Sequence, residues 1–224
     1  MLKKQMSDSI WMGVLLAITG GFLDAYTYLS RGGVFANAQT GNVVLFSLHI
    51  AKGEWGKAAM YLIPIMAFVT GIFVTEMIRT RFLMHEKLHW RQLIVLLEAF
   101  ILLVAAFLPQ SYNMVVNILI SFVCALQVES FRKIEGNVCA TTMCTGNLRT
   151  ATELLFRYVK EQNNKHRNAA MTYFFILFVF VVGASIGTVI TQFFFEKAVL
   201  FCVLLLLISC ILMAFKRKEE VENA

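Results

Sequence analysis

Two acidic residues within apolar segments are the first candidates for chemistry in this chain. Asp24 stands in the run Gly-Gly-Phe-Leu-Asp-Ala, and Glu129, 105 residues later, stands in the run Gln-Val-Glu-Ser. A carboxyl group in a membrane-spanning helix costs roughly 2.5–3.5 kcal/mol on insertion scales, and such groups usually serve a function. We therefore expect both acids to bind a small polar solute or an ion. For Glu129 the alternative is an ion pair with Arg132 or Lys133.

A Thr-Gly-Asn tripeptide follows each acid at the same distance. Thr40 to Asn42 form the first copy, and Thr145 to Asn147, again 105 residues later, form the second. Glycine permits a tight turn, and Thr and Asn are good helix caps. We therefore predict that a short helix starts at the asparagine of each copy. A cap alone would explain one copy, whereas two copies favour a binding site. The predicted short helices are Val43–Ala51 and Leu148–Val159.

Short polar side chains around the two tripeptides complete the predicted site. Non-helical backbone survives at membrane depth only where it is buried in protein or lines a cavity, and such side chains suit coordination of a small solute or ion. Glu98, in the middle of another apolar run, is a possible proton-relay residue, or else it pairs with Arg79 or a hydroxyl group. The predicted solute- or ion-binding residues are Asp24, Asn37, Gln39, Thr40, Asn42, Glu129, Thr142, Thr145 and Asn147.

The cysteines and glycines indicate neither a metal site nor a nucleotide site. The five cysteines show no C-x-x-C spacing, and no histidine lies near Cys139 and Cys144 in the sequence. The glycine-rich loop that binds ATP, G-x-x-x-x-G-K-[ST], does not occur. We therefore expect no cofactor, no metal and no direct coupling to ATP, and we assign no catalytic residue.

The composition is that of a membrane protein rather than a soluble domain. Hydrophobic residues make up 58% of the 224 residues and charged residues only 15%, and the mean hydropathy is +0.70. The formal net charge of +6 is not gathered into a basic patch interleaved with aromatic residues, so nucleic acid is not an expected partner. The expected partner is the lipid bilayer.

Six apolar runs are long enough to cross a bilayer as helices. A helical span needs about 20 predominantly apolar residues. The runs predict an all-α polytopic fold that forms a single membrane domain, residues 1–224. The predicted spans are Ile10–Leu29, Ala58–Ile78, Gln92–Leu108, Asn113–Phe131, Ala169–Thr191 and Ala198–Phe215.

The basic residues predict which side each connection faces. With the N-terminus inside and the two tripeptide segments not crossing, 16 of the 20 lysines and arginines lie on the cytoplasmic side. This is the distribution that the positive-inside rule describes. We therefore predict a multi-pass protein of the plasma membrane with both termini in the cytoplasm. The basic residues left outside are Arg31, Lys52, Lys57 and Lys197.

The duplication predicts two inverted repeats. Each copy contains three spans, an odd number, so the second copy enters the membrane in the opposite direction. Repeat one covers about residues 10–108 and repeat two about residues 113–215, followed by a charged cytoplasmic tail, 216–224. Inverted repeats place a substrate site around a two-fold axis in the membrane plane.

Other features of the repeats predict how their helices pack. The pairs Gly71/Thr75 and Gly183/Gly187 are small residues four apart, a spacing that lets helices approach closely. Each repeat carries an extra short helix after its tripeptide. The second one is amphipathic and is expected on the cytoplasmic face, whereas the first is apolar and is expected either to dip into the bilayer or to pack under other helices.

The motifs also resemble those of a known family. The run from Gly20 to Ala25, the segment Gly33-Val34-Phe35 and the first tripeptide resemble the YoaK-like family of bacterial membrane proteins (domain of unknown function 1275). The run from Gln127 to Ser130 and the second tripeptide resemble the same family. The resemblance covers nearly the whole chain except the charged tails. It implies a multi-pass protein of the bacterial plasma membrane and no particular activity.

Three functions remain open from the sequence. We favour a secondary transporter or permease for a small polar solute or ion, with its site between the repeats. The alternative is a non-catalytic membrane scaffold or sensor that acts through its basic cytoplasmic loops. An intramembrane enzyme is less favoured, because paired carboxyl groups must lie within a few ångström and these two acids enter from opposite leaflets. So few helices are also compatible with a homodimer.

Overall fold

The chain is almost entirely helical. A computed structural model describes residues 6–82 and 89–222. Lys3, Lys4 and Lys87, which the charge-based orientation counts, lie outside these residues. The helices are α1 Ile10–Ser30, α2 Gln39–Ala51, α3 Trp55–Phe82, α4 Trp90–Ala106, α5 Asn113–Ser130, α6 Cys144–Glu161, α7 Asn164–Phe194 and α8 Leu200–Glu222. Short 3-10 turns lie at Met6–Asp8, Gln110–Tyr112 and Phe195–Val199, and strands β1 Lys133–Ile134 and β2 Asn137–Val138 form an antiparallel hairpin.

Four stretches within residues 6–82 and 89–222 are long and apolar enough to cross a membrane. They are Ile10–Ser30, Trp55–Phe82, Gln110–Ser130 and Asn164–Phe215. The last stretch has 52 residues and contains both α7 and α8, which are separated by the 3-10 turn. Helix α4 has 17 residues and is not one of the four. The chain is therefore a helical membrane protein, and the count of six spans stays a prediction.

Local sequence explains where several helices begin and end. The hydroxyl of Ser9 accepts a hydrogen bond from the Met12 N–H and so caps α1, and the side chain of Asn163 caps α7 in the same way. Helix α7 ends where Phe195 adopts a positive φ of 48°, a conformation that an aromatic residue rarely takes. The turn that follows leads into α8, which continues past the predicted span as far as Glu222.

The hairpin of β1 and β2 docks on the first turn of α1. The Glu135 carboxylate accepts a hydrogen bond of 3.1 Å from the Ile10 N–H, and the Glu135 N–H donates one of 2.8 Å to the carbonyl of Asp8. A carboxylate is favourable at a helix N-terminus because the helix dipole is positive there. The start of α1 and the connection that follows α5 therefore lie at the same end of the molecule.

The helices pack closely where small residues meet a neighbouring backbone. Helix α1 packs along α7, and α3 packs along α5. A Cβ atom on Gly183 would clash with the carbonyl oxygen of Ile18, and one on Gly71 would lie 2.8 Å from the carbonyl oxygen of Phe122. The packing role predicted for the small-residue pairs is therefore confirmed at both interfaces.

The remaining contacts hold the short helices and the last spans in place. Helix α2 packs on α3, and α6 packs on α7. Helix α4 packs on α8 and α5, and α8 also contacts α1. The largest group of buried apolar side chains comes from α1, α4, α5 and α8, so the core lies among these four helices.

The predicted starts of the two short helices are wrong in both copies. Helix α2 begins at Gln39 and α6 at Cys144, three residues before the asparagines, and neither has a side-chain cap. The Asn42 amide instead donates a hydrogen bond of 3.1 Å to Gln39 Oε1 inside the first turn. The Asn147 amide donates one of 2.6 Å back to the Ala140 carbonyl. Each tripeptide therefore lies within the first turn of its helix.

Candidate functional site

The loops before α2 and α6 both reach the midpoint of α1. This midpoint is Gly20, the eleventh of the 21 residues of α1. The Asn37 side-chain amide donates a hydrogen bond of 3.2 Å to the Gly20 carbonyl. From the other loop, Thr142 packs so closely that a Cβ atom on Gly20 would lie 2.9 Å from its methyl group. The missing side chain of Gly20 therefore makes room for the second loop.

The same two loops reach the midpoint of α5. Ser121, the ninth of the 18 residues of α5, donates a hydrogen bond of 2.7 Å to the Ala36 carbonyl. Cys124, one turn further along, donates to the Thr142 hydroxyl at 3.6 Å. Both α1 and the stretch containing α5 are candidate spans. The starts of α2 and α6 therefore meet halfway along two candidate spans.

Helices α1 and α5 run antiparallel beside these loops. The Gln127 amide, near the end of α5, donates hydrogen bonds to the Leu16 carbonyl at 3.0 Å and to the Thr141 hydroxyl at 2.8 Å. The Asn117 amide, near the start of α5, donates one of 2.9 Å to the Arg31 carbonyl, just after α1. The end of each helix thus lies beside the beginning of the other.

Asp24 lies in this central region with one oxygen unpaired. Its carboxylate accepts a hydrogen bond from the Asn37 backbone N–H, while its Oδ1 is buried without a partner among the described residues. Asn37 is 5% exposed, and its own Oδ1 is likewise buried and unpaired. Two acceptor oxygens at the centre therefore lack donors.

Glu98 is the most deeply buried acid among the described residues. It is 0% exposed, and neither carboxyl oxygen has a hydrogen-bond partner among the residues that the structure describes. Helix α4, which carries Glu98, packs on α8 and α5. The alternative pairing with Arg79 does not occur, because Arg79 bonds to Glu76 instead.

Glu129 lies apart from Asp24. It forms an ion pair with Arg132, the alternative that the sequence left open, and Arg132 also contacts Glu76 at 3.3 Å. Gln127, two residues earlier, bonds to Leu16, so Glu129 lies at the level of the first half of α1, although Arg132 connects it with Glu76 of α3. Leu16 precedes Asp24 by eight residues, which is about 12 Å along a helix axis. The structure therefore does not bring the two acids together.

The members of the two tripeptides occupy matching environments. Thr40 and Thr145 are exposed, whereas Asn42 and Asn147 are buried. A Cβ atom on either glycine would meet no described atom within 4 Å, and neither glycine has a positive φ. Gln39, half-buried, donates a hydrogen bond of 3.0 Å to the Ala36 carbonyl. The first turns of α2 and α6 thus present open backbone at both glycines.

The cysteines near the site are not arranged as ligands. Among the described residues, no three His, Cys, Asp or Glu side chains are grouped so that they could hold a metal ion. Burial raises the pKa of the Cys139 thiol to about 12, despite a hydrogen bond with Asn147 that lowers it. A thiol with such a pKa stays protonated at neutral pH, whereas metal ligation and nucleophilic attack require the thiolate.

Sequence reasoning missed two polar residues that organise this region. Gln127 joins α5 to both α1 and the second loop, although the sequence alone presents it only as part of a family motif. Arg31 was counted as an outside charge, yet it is 0% exposed and donates hydrogen bonds to the Tyr26 hydroxyl and to carbonyls at the end of α4. For Gln127, an amide side chain inside an apolar run is a signal of a contact between helices. No local signal reveals the second.

Comparisons with known proteins agree with a membrane protein. A family profile described as "Protein of unknown function (DUF1275)" matches residues 12–212. The chain is similar to "UPF0700 transmembrane protein YoaK" of Bacillus subtilis (strain 168), with 30% identity over 149 residues. That alignment covers 62% of this chain and 64% of the relative, so the chain matches less than two thirds of that protein. No solved structure matches significantly. Since the profile covers most of its length, the chain belongs to the DUF1275 family.

Proposed function

We propose that this protein is a secondary transporter or permease that moves a small polar solute or an ion through a site between two inverted repeats. One observation carries the proposal: the loops before α2 and α6 meet at the midpoints of α1 and α5. Irregular polar backbone at that depth is tolerated only where protein buries it or where it lines a path for water or solute. Asp24 and Asn37 have unpaired oxygens in the same place, which supports a path for water or solute.

The helix contacts support the inverted repeat. Exchanging α1, α2, α3 and α4 for α5, α6, α7 and α8 turns the α1–α7 contact into the α5–α3 contact. The same exchange turns α2–α3 into α6–α7, and it maps α4–α8 onto itself. A two-fold axis in the membrane plane has this effect. Under the proposal, α7 and α8 are separate spans, and α4, which is about 26 Å long, is the sixth span.

The two short helices supply the polar groups of the site. Each begins near mid-depth, so the positive end of its helix dipole points towards the centre. Gly41 and Gly146 leave that backbone open to a ligand. Transporters use helices that are broken in this way to bind substrates near the bilayer midplane. The proposed site therefore combines the positive ends of two helices with the Asp24 and Asn37 acceptors.

The other two functions have less support. A catalytic pair of carboxyl groups needs closer acids than Asp24 and Glu129, so we propose no enzymatic role for them. A scaffold or sensor would use the exposed charged residues of α6, among them Arg149 and Arg157. A scaffold or sensor would not require two polar loops to come together halfway along the spans. A homodimer stays part of the proposal, with the lipid bilayer as the surrounding partner.

Thiol labelling tests the proposal without knowledge of the solute. Cys144 is exposed and starts α6, and Gln39 starts α2 at the matching position. We expect a membrane-impermeant maleimide to label Cys144 only from the cytoplasmic side. In a Cys144→Ser background, we expect it to label Gln39→Cys only from the outer side. Buried Cys202 should stay unlabelled, and Lys52→Cys and Lys160→Cys mark the outer and cytoplasmic surfaces.

Two labelling outcomes would contradict the proposal. Labelling of Cys144 and Gln39→Cys from the same side would contradict the inverted repeat. No labelling from either side, with the surface markers reactive, would mean that water does not reach the site, and a scaffold would then be favoured. Protection by a candidate solute in the medium would identify the class of substrate.

A further inference from the structure

Asn37 has one polar atom that the fold leaves unused. Its side-chain amide donates a hydrogen bond of 3.2 Å to the Gly20 carbonyl, and its backbone N–H donates to the Asp24 carboxylate. Its backbone carbonyl accepts a bond of 3.1 Å from the Gln39 N–H. Only Oδ1 has no partner among the described residues, and it is buried. Since buried polar atoms are nearly always hydrogen-bonded, this oxygen is a candidate for contact with a ligand.

The residue before Asn37 holds the loop in place. The Ala36 carbonyl accepts a hydrogen bond of 2.7 Å from the Ser121 hydroxyl and one of 3.0 Å from the Gln39 amide. The Ala36 N–H donates one of 3.4 Å to the Thr27 hydroxyl. The loop is therefore tied to α1, α5 and the start of α2. A polar group whose position is fixed in this way is preorganised for binding.

Asp24 supplies a second unused oxygen beside Asn37. Gly20 and Asp24 are four residues apart and so share one face of α1, and Asn37 bonds to both of them. No described donor reaches Asp24 Oδ1. Arg31, the basic residue nearest in sequence, bonds instead to Tyr26 and to carbonyls at the end of α4. Asp24 is only half-buried, which leaves a side from which a solute can approach.

The two oxygens define the chemistry of a ligand. Both are acceptors, and one belongs to a carboxyl group whose charge is costly in an apolar surrounding unless it is paired. A primary ammonium group supplies a positive charge together with three N–H donors. A metal ion is disfavoured, because no three His, Cys, Asp or Glu side chains are grouped for one within residues 6–82 and 89–222. A quaternary ammonium group has the charge but no N–H donor.

We propose that Asp24 and Asn37 bind the ammonium group of a small primary amine, and that amines of this class are the solute that the protein moves. The Asp24 carboxylate balances the positive charge, and Asn37 Oδ1 accepts one of the N–H groups. The movement of the amine rests on the proposed transport function, whereas its binding does not. Binding is reversible, and no covalent bond is made or broken.

Thermal unfolding of the purified full-length chain tests the site with two matched salts, methylammonium chloride and tetramethylammonium chloride. The two cations have the same charge, but only methylammonium has N–H donors. We expect the unfolding midpoint to rise saturably in methylammonium chloride and not in tetramethylammonium chloride at equal concentration, since a ligand that binds the native state stabilises it. We expect Asp24→Asn to abolish this rise and Asn37→Ala to weaken it.

Glu76→Gln is the matched control. Glu76 is a partly exposed carboxylate paired with Arg79 and Arg132, so its variant should keep the full rise. Equal midpoints in the two salts for folded wild-type protein overturn the proposal, and so does a rise that persists in Asp24→Asn. A rise in sodium chloride alone, lost in Asp24→Asn, also overturns it and assigns a metal ion to the site.

Amine binding and thiol labelling can fail separately. A methylammonium effect without thiol labelling would remove transport and leave the amine site standing. Thiol labelling without a methylammonium effect would remove the amine site and leave transport of another solute. The comparison of the two salts on wild-type protein decides even if a variant fails to fold.

Discussion

Arg31 donates a hydrogen bond of 3.1 Å to the carbonyl oxygen of Ala105, in the last turn of α4. The same guanidinium donates bonds of 2.8 Å to the Leu108 carbonyl and to the Tyr26 hydroxyl. The last carbonyls of a helix have no partners within the helix, and its C-terminus attracts a positive charge. Arg31, which follows α1, therefore caps α4 and ties the two helices together.

Replacing Arg31 tests this cap. We expect Arg31→Lys to lower the stability of the protein by roughly 1.5–3 kcal/mol, because an ammonium group keeps the charge but cannot form the same set of bonds. The measurement is the free energy of unfolding in a single detergent. Lys52→Gln, at an exposed position just after α2, is the control and should change little. Wild-type stability of Arg31→Lys would show that charge alone matters.

Gly21 tests the contact between α1 and α7. A Cβ atom there would clash with the carbonyl oxygen of Phe180, which is backbone and cannot turn aside. We expect Gly21→Ala to cost at least the roughly 1–3 kcal/mol typical of overpacked cores, measured as a lower unfolding midpoint. Gly56→Ala is the matched control, because that helical glycine has no described atom within 4 Å of the added Cβ. It should be neutral or slightly stabilising. Equal midpoints for the two variants would contradict the close contact.

Glu54 makes the stability of the connection between α2 and α3 depend on pH. Hydrogen bonds with His49, at 2.5 Å, and with Lys57, at 3.0 Å, lower the pKa of Glu54 from its ordinary value of 4.5. A lowered pKa in the folded state means that this contribution is present above the ordinary pKa and is lost as the pH falls through the folded-state pKa.

The comparison with Glu54→Gln measures that contribution. We expect the variant to unfold at a slightly lower temperature than wild type at neutral pH, and the difference to shrink in acid. The effect is small because the Glu54 carboxylate is exposed to solvent. A difference that stays constant, or grows, as the pH falls would contradict the assignment of this pair.

Features that depend on local sequence were predicted well. Apolar runs identified a membrane protein because hydropathy is a property of a short segment. Small-residue pairs such as Gly183/Gly187 identified a packing face because their spacing alone places them on one side of a helix. The starts of α2 and α6 were misplaced because the Asn42 and Asn147 side chains bond elsewhere than a cap would.

Features that depend on distant segments were not predictable. The Gln127–Leu16 hydrogen bond joins residues 111 apart in the chain, and it places Glu129 away from Asp24. The Arg31 bond to Ala105 spans 74 residues. Both acids stand in similar local sequences, yet one is paired with Arg132 and the other has an unpaired oxygen. Their difference comes from the neighbours that folding brings to each.

The sequence by itself therefore determined the membrane setting, the repeated motifs and the candidate polar residues, because composition, spacing and repetition are read along the chain. Only the tertiary structure decided that the two tripeptide helices begin beside the midpoints of α1 and α5, and that Arg31 caps α4. The physical reason is that a buried polar group takes its partners from whichever helices pack around it. Those contacts form between segments far apart in sequence.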